Sequence, residues 1–343
     1  MDFERYVAEI ERGRPRAGAS PEPGRDNLVV LARTVSTNLL ARGIVAEFES
    51  EGLDLGPVLV LALEQSGGRG RQGRSWSSPR GRGVYATLAQ PYPKPELLPA
   101  LPLLAGVGLC RALAAHLPHG CQLKWPNDLL VPPLPQPAGG AGAADSSGGS
   151  AGAGDPAVAG GPGNSGRRLG RKIGGILIEA MVHPGDGCVA LIGFGVNHGQ
   201  RQEELPAGAT SLLLESGGHL GGGMGVGLAE LTWDLVARLE RELAHAGDLP
   251  YAVAAYRELV AHRPGDRLVC RVGERQVAGT FAGIDDAGRL RLRSPETVGD
   301  GGAAAAGGGP VAEGGRPVAA PSGPAAGEPD GELLLSAGEV IAG

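Results

Sequence analysis

Between Glu64 and Trp76 the chain reads Glu-Gln-Ser-Gly-Gly-Arg-Gly-Arg-Gln-Gly-Arg-Ser-Trp. Arg69, Arg71 and Arg74 stand at near-alternate positions, with Gly68, Gly70 and Gly73 between and before them. Guanidinium forks match carboxylate and phosphate geometry bidentately. Glycine lets a backbone approach a ligand closely and take positive φ. A loop of this kind suits an anion, either a nucleotide phosphate or the acid of a ligand. It is not a phosphate loop, because G-x-x-x-x-G-K-[ST] is absent. The same composition also fits a solvated basic loop or an RGG-like RNA contact. The apolar strand that precedes it and the closing Trp76 favour a site.

Four further clusters carry polar groups at suggestive places. Lys124-Trp125-Pro126-Asn127-Asp128 reads as a turn, since Pro126 fixes φ and Asn127 and Asp128 are turn formers. Lys172 precedes Gly174 and Gly175 at the start of an apolar strand that runs to Glu179 and beyond. A lysine there either projects into a cavity or ends a strand at the surface. Gly193, Gly195 and Asn197 alternate along another strand, and glycine in a strand often marks close approach by a ligand or a backbone. Ser36, Thr37 and Asn38 open a helix; a cap explains Ser36, but a polar ligand head group can use all three. His116 and His119 form H-x-x-H without an acidic or cysteine partner nearby, so no metal site is expected. No Ser/His or Cys/His pair suggests a covalent nucleophile.

The elements that must position these residues alternate in type. Strands are expected over 28–35, 58–65, 84–90, 121–125, 129–131, 173–182 and 189–197. Helices are expected over 3–12, 38–48, 97–117, 227–247 and 250–261. From Gly265 the pattern changes to short strands at 266–272, 276–284, 289–293 and 332–335, with a hairpin turn at Asp285-Asp286-Ala287-Gly288. The fold class is α+β: a mixed β-sheet domain packed with helices, followed by a small all-β module.

Composition narrows the function. Of 343 residues, 61 are glycine and 28 proline. They concentrate in two stretches, 132–170 and 298–330, that hold almost no large apolar residue and are expected to be flexible. The second holds four acids against one arginine, a net −3 of the total −6, so the rest is nearer neutral. An acidic balance argues against bulk nucleic-acid binding. Cys110, Cys121, Cys188 and Cys270 are scattered, with no C-x-x-C, and are expected to be reduced and buried in a cytoplasmic protein. The acidic first residues do not form a signal peptide. No run of 18 wholly apolar residues is found, so no membrane span is expected.

The order Ser36-Thr37-Asn38, EQ-x-x-GRGR-x-GR-x-W, KWPND, K-x-x-GIL-x-E and G-x-G-x-N resembles the biotin protein ligase family over residues 28–197. The tail from Arg263 to Val340 resembles that family's small C-terminal SH3-like β-barrel. The resemblance implies a monofunctional ligase, with ATP and Mg²⁺, that converts biotin to biotinyl-5′-AMP. It then transfers biotin to a lysine of a biotin carboxyl carrier protein. By the same resemblance, Ser36, Thr37 and Asn38 would bind the ureido ring, and Gln65 the biotin or its adenylate. Gly68, Arg69, Gly70 and Arg71 would fold over both. Arg74, Trp76, Asn127 and Asn197 would serve ATP, Lys172 would reach carboxylate and α-phosphate, and Asp128 would lie near the reacting centre.

The implied organisation is a short N-terminal extension over 1–27, a catalytic domain over 28–262 and the SH3-like domain over 263–343. Two features depart from the family pattern. Residues 132–170 intervene where only a few residues are expected, and the extension is too short for a winged helix, so no specific DNA binding is expected. The oligomeric expectation is a monomer or homodimer. A lipoate-type ligase, a non-catalytic biotin-responsive regulator and an RNA binder are the competing readings.

Overall fold

The computed structural model describes residues 1–14, 27–53, 56–133, 169–182, 187–219, 226–272, 275–298 and 332–336. The two glycine- and proline-rich stretches, apart from their ends, lie outside these residues. The chain opens with α1 (Phe3–Gly13), β1 (Asn27–Leu31), α2 (Thr37–Ser50), β2 (Val58–Ala62) and β3 (Gly83–Tyr92). Next come α3 (Leu101–Ala114), β4 (Gln122–Lys124), β5 (Asp128–Val131), β6 (Arg171–Val182) and β7 (Cys188–Asn197). The short α4 (Leu212–Glu215) leads to α5 (Leu228–Leu243) and α6 (Leu249–Leu259). Four strands close the chain: β8 (Arg267–Val272), β9 (Arg275–Ile284), β10 (Leu290–Val298) and β11 (Glu332–Leu335).

Strands β1 to β7 form one sheet in the order β1-β2-β3-β7-β6-β5-β4. Only β1 and β2 are parallel; the other pairs are antiparallel. Side chains alternate across a strand, so each strand divides its residues between two layers. Leu59 and Leu61 of β2, Val84, Ala86 and Leu88 of β3, and Ile192, Phe194 and Val196 of β7 face the large core under α1, α3, α5 and α6. Val58, Val60, Ala89 and Leu191 face the other way, onto Ala41 and Val45 of α2. That single helix covers only part of its face. The remainder carries Thr87, Gly175, Gly193 and Gly195, and it is where the site lies.

The helix expected over 97–117 is divided: a 3₁₀ segment at Pro95–Ala100 runs into α3. The combined stretch Pro95–Ala114, charged only at Glu96 and Arg111, is long and apolar enough to cross a membrane by length and composition. It is not the wholly apolar run of 18 residues that the sequence lacks, because Glu96 and Arg111 interrupt it. Here it is the core helix, buried over Leu103–Cys110 beneath α5 and α6.

The N-terminal extension holds a structural helix. Tyr6 and Ile10 of α1 are buried, and Trp233 Nε1 of α5 donates to Ile10 O at 2.9 Å. The C-terminal strands form an open antiparallel sheet, β11-β10-β9-β8, with no closure into a barrel among the described residues. Strand β10 runs five residues past the expected end, to Val298, because it pairs on with Ala278–Gln276 of β9. Leu268, Phe281, Leu290 and Leu292 join the large core, and Arg257 of α6 donates to Ile284 O at 2.7 Å.

Candidate functional site

The floor of the site is a gap in the side-chain layer. Gly175 of β6 and Gly195 of β7 are direct cross-strand partners, and Gly193 pairs with Leu177. A Cβ at Gly175 would stand 3.3 Å from the Trp76 ring and 3.6 Å from Lys172 Nζ; one at Gly195 would collide with Trp76 Nε1. One at Gly193 would collide with the Asn38 amide. The alternating glycines therefore let two groups from outside the sheet, an indole and a helix start, lie directly on its backbone.

The arginine loop is a miniature hairpin. Trp76 N donates to Gly68 O (2.8 Å), and Gly70 N donates to Arg74 O (2.7 Å). Arg69 and Ser75 form a bridge between them. At the tip Gln72 and Gly73 have φ of 55° and 71°, the left-handed region that glycine enters without strain. The strand β2 ends at Ala62, earlier than expected, and the chain from Leu63 to Gln65 leaves the sheet to enter this loop.

At the start of α2 a polar network closes. Ser36, Thr37, Asn38 and Thr87 are buried. Gln65 Oε1 accepts from Thr37 N (2.8 Å) and from the Thr37 hydroxyl (3.2 Å), while Gln65 Nε2 donates to the Ser78 hydroxyl (2.8 Å). The Thr87 hydroxyl donates to Asn38 Oδ1 at 2.6 Å, and Asn38 Nδ2 donates to Leu177 O and to Glu179 Oε2, both at 3.4 Å. Ser36 holds the N-cap position, yet its side chain makes no capping hydrogen bond, so a cap does not account for it. Gln65, Gly68, Trp76 and Ser78 line a cleft of about 370 Å³.

At the other end of the floor Lys172 Nζ lies 2.7 Å from Asp128 Oδ1 and 5.4 Å from the centre of the Trp76 ring. Asp128 Oδ2 is 3.8 Å from Lys124 Nζ. Asn127 Nδ2 donates to Ile176 O at 2.9 Å, which ties the KWPND turn to β6. The Trp76 Nε1 donor is buried with no hydrogen-bond partner among the described residues. An orphaned buried donor costs about 1–3 kcal/mol, and here it sits at the cation-rich end of the floor.

The expected residues thus fall on one sheet face: Ser36, Thr37, Asn38, Gln65 and Gly68 at one end, Asn127, Asp128 and Lys172 at the other, and Trp76 between them, its backbone bonded to Gly68 and its ring against Lys172. Arg69 and Lys172 have separate carboxylate partners: Arg69 Nη1 lies 3.3 Å from Glu179, and Lys172 Nζ is held by Asp128. Arg71 begins the 3₁₀ turn at the hairpin tip and Arg74 ends it. Asn197 is buried at the end of β7, its amide bonded to Thr210 O and Gln200 Nε2. Thr87, Ser78 and Arg42, whose Nη2 lies 3.5 Å from Glu179 Oε2, belong to the site without having been singled out by sequence. No group of three or more His, Cys, Asp or Glu side chains among the described residues converges to hold a metal.

Comparison with known proteins agrees with this geometry. Residues 33–197 match the biotin/lipoate A/B protein ligase family. The chain is 30% identical over 282 residues to a biotin–[acetyl-CoA-carboxylase] ligase of Paracoccus denitrificans, covering 78% of this chain and 94% of that protein. It is 28% identical over 280 residues to the bifunctional ligase/repressor BirA of Salmonella typhimurium, covering 79% of this chain and 71% of that protein. The fold is similar to that of the Aquifex aeolicus biotin protein ligase solved with biotin and ATP, with a TM-score of 0.52 and 19% identity over 79% of this chain and 95% of that one. The glycine floor, the arginine hairpin and the two polar ends lie within the matched segment, and the chain belongs to the biotin/lipoate protein ligase family.

Proposed function

We propose that this protein is a biotin–[biotin carboxyl carrier protein] ligase, working in two steps on the glycine floor. A carboxylate oxygen of biotin attacks the α-phosphorus of ATP, the bond to the bridging oxygen breaks, and pyrophosphate leaves. The amine of an acceptor lysine, having lost its proton to solvent, then attacks the acyl carbon, and AMP leaves. The observation that carries the reading is the placement of Lys172, fixed by Asp128 under the Trp76 ring. It stands on the sheet face that also carries the Thr37–Gln65–Asn38 network.

Each residue's part follows from chemistry. Two anions must meet in the first step, so a preorganised cation between them stabilises the charge that develops. Lys172 supplies it, with Asp128 as its orienting partner. Ser36, Thr37, Asn38 and Gln65 offer donors and acceptors to the ureido ring. Gly68, Arg69, Gly70 and Arg71 cover the acyl-adenylate and keep water from the mixed anhydride. Arg74, Trp76, Asn127 and Asn197 serve the nucleotide, whose acceptor atoms would satisfy the orphaned Trp76 donor. Mg²⁺, when bound, would lower the charge on the triphosphate. It would be carried by the phosphates and waters rather than by a protein cage, since Asp128 is engaged by Lys172.

In this reading residues 28–262 carry the chemistry and 263–343 are appended to it. The protein works in the cytoplasm as a monomer or homodimer, without specific DNA or membrane partners. Incubation with biotin, ATP, Mg²⁺ and a biotin carboxyl carrier domain, read by avidin blot, tests it. Strong labelling of one carrier lysine is expected. ATP–pyrophosphate exchange stimulated by lipoate and not by biotin would favour a lipoate-type ligase instead.

A further inference from the structure

Glu179 is an ionisable residue in the middle of the otherwise apolar outer half of β6, and it is 3% exposed. It lies on the same strand face as Gly175, two alternations further along. Its two oxygens are divided between separate elements. Oε1 is 3.3 Å from Arg69 Nη1 of the hairpin. Oε2 is 3.5 Å from Arg42 Nη2 and 3.4 Å from Asn38 Nδ2, both on α2 and four residues apart, so they share one helix flank. Nothing in the two-step reaction uses this carboxylate directly.

We propose that Glu179 is a positioning residue that latches the arginine hairpin to the helix start recognising biotin, so that both close on the same ligand. The proposal rests on the ligase reading above. The carboxylate lies 3.3 Å from Arg69 Nη1, an ion pair at one edge of the guanidinium. A guanidinium has five N–H donors in a fixed fork, so Arg69 held in this way keeps donors for a ligand carboxylate or phosphate. Glu179 and the ligand are then neighbours on one guanidinium rather than rivals for it. Through Asn38, whose Oδ1 is held by Thr87, the same carboxylate sets the amide orientation at the other end of the pocket. A structural role alone would need one cationic partner to neutralise the buried charge. Here partners come from two elements, and one of them is the loop that must stay in place while the acyl-adenylate waits for its acceptor.

The test uses the full chain as wild type, Glu179→Gln, Arg69→Ala and the double variant, with active sites counted by the single-turnover burst of biotinyl-AMP. Glu179→Gln keeps the volume and one acceptor oxygen, removes the charge, and puts an NH2 donor in place of the other oxygen. The expected result is a rise of about tenfold in the KM for biotin and in the release rate of preformed biotinyl-AMP, with the KM for ATP unchanged. The double variant is expected to lose less than the sum of the two single changes, because the hairpin latch is removed by either one while the Asn38 contact is lost only with Glu179. If Glu179→Gln does not fold, Glu179→Asp, which keeps the charge but shortens its reach, is expected to show the same rise at smaller size. Unchanged biotin KM and release rate per active site, or full additivity in the double variant, would overturn the latch while leaving the ligase reading intact. A wild-type chain that forms no biotinyl-AMP would overturn both.

Discussion

Lys172 shows how one residue's value depends on what holds it. Its ammonium is only partly buried, and the Asp128 carboxylate at 2.7 Å fixes its position at the start of β6. Lys172→Ala removes one preorganised charge from the step in which two anions meet, and a loss of about 10²-fold in biotin-dependent ATP–pyrophosphate exchange is expected. Exchange at the wild-type rate would show that the cation lies elsewhere. Lys172 stood out in the sequence because of its spacing to Gly174 and Gly175. Thr87 did not, since a single threonine in Val-Tyr-Ala-Thr-Leu-Ala-Gln reads as an ordinary strand former. Its hydroxyl matters because Gly193 on the neighbouring strand brings the Asn38 amide to it. Glu179 had a legible signal of another kind: a carboxylate in an apolar strand must find partners. Their identity, Arg42 and Arg69, depends on how far α2 and the hairpin fold over the sheet.

At the scale of elements, the hairpin from Gly68 to Trp76 is held by backbone hydrogen bonds. Arg71→Gly therefore leaves its shape intact at a cost of about 0.5–1 kcal/mol in backbone entropy, and it removes a cation from the cover. Early escape of biotinyl-AMP is expected, with labelling of bystander lysines when the variant is incubated with a mixture of unrelated proteins. Retention of strict carrier selectivity would count against a covering role. The composition of this loop was plain from the sequence, but its left-handed tip at Gln72 and Gly73 was not, because glutamine seldom adopts that conformation. The join between β5 and β6 makes a second case. Val131 pairs with Arg171, so the chain leaves and re-enters the sheet on adjacent strands. Replacing residues 134–168 with a short Gly-Ser turn is expected to shift Tm by no more than a few degrees and to keep carrier biotinylation, since loop closure depends only weakly on length. A fall of ten degrees or more would mean that the replaced stretch packs on the fold.

Across the whole molecule, the alternation of apolar residues was enough to place nearly every strand and helix. It did not show how they share a core. The tail read as a separate module, yet Phe281 and Leu292 lie in the same apolar cluster as α3. Residues before Asn27 read as an extension, yet Tyr6 and Ile10 complete the packing on α5. Such contacts join segments hundreds of positions apart, which local periodicity does not record. His198 gives this shared packing a pH dependence. Burial lowers its pKa from the ordinary 6.5, and the ring is held at 2.8 Å from Val226 O. Below that value the unfolded chain binds a proton that the folded chain resists. Stability is therefore full above about pH 6.5 and is lost as pH falls, by up to about 1.4 kcal/mol per pH unit. Denaturant unfolding at pH 7.5 and 5.5 should show a larger loss for the wild type than for His198→Gln; equal losses would assign the acid sensitivity to other groups.

The stretch Pro95–Ala114 has one more consequence, for the order in which the protein is made. Its cover comes from α5 and α6, which the ribosome does not begin to build until it has passed Gly227. Until then the nascent chain carries an apolar helix that lacks its partners, long enough to be taken for a membrane segment. Synthesis runs from the N-terminus, so this exposure is part of every round of translation. A molecule terminated before Leu228 keeps the sheet side of this helix packed on β4, β5 and β6 but leaves the side that α5 and α6 cover open to water.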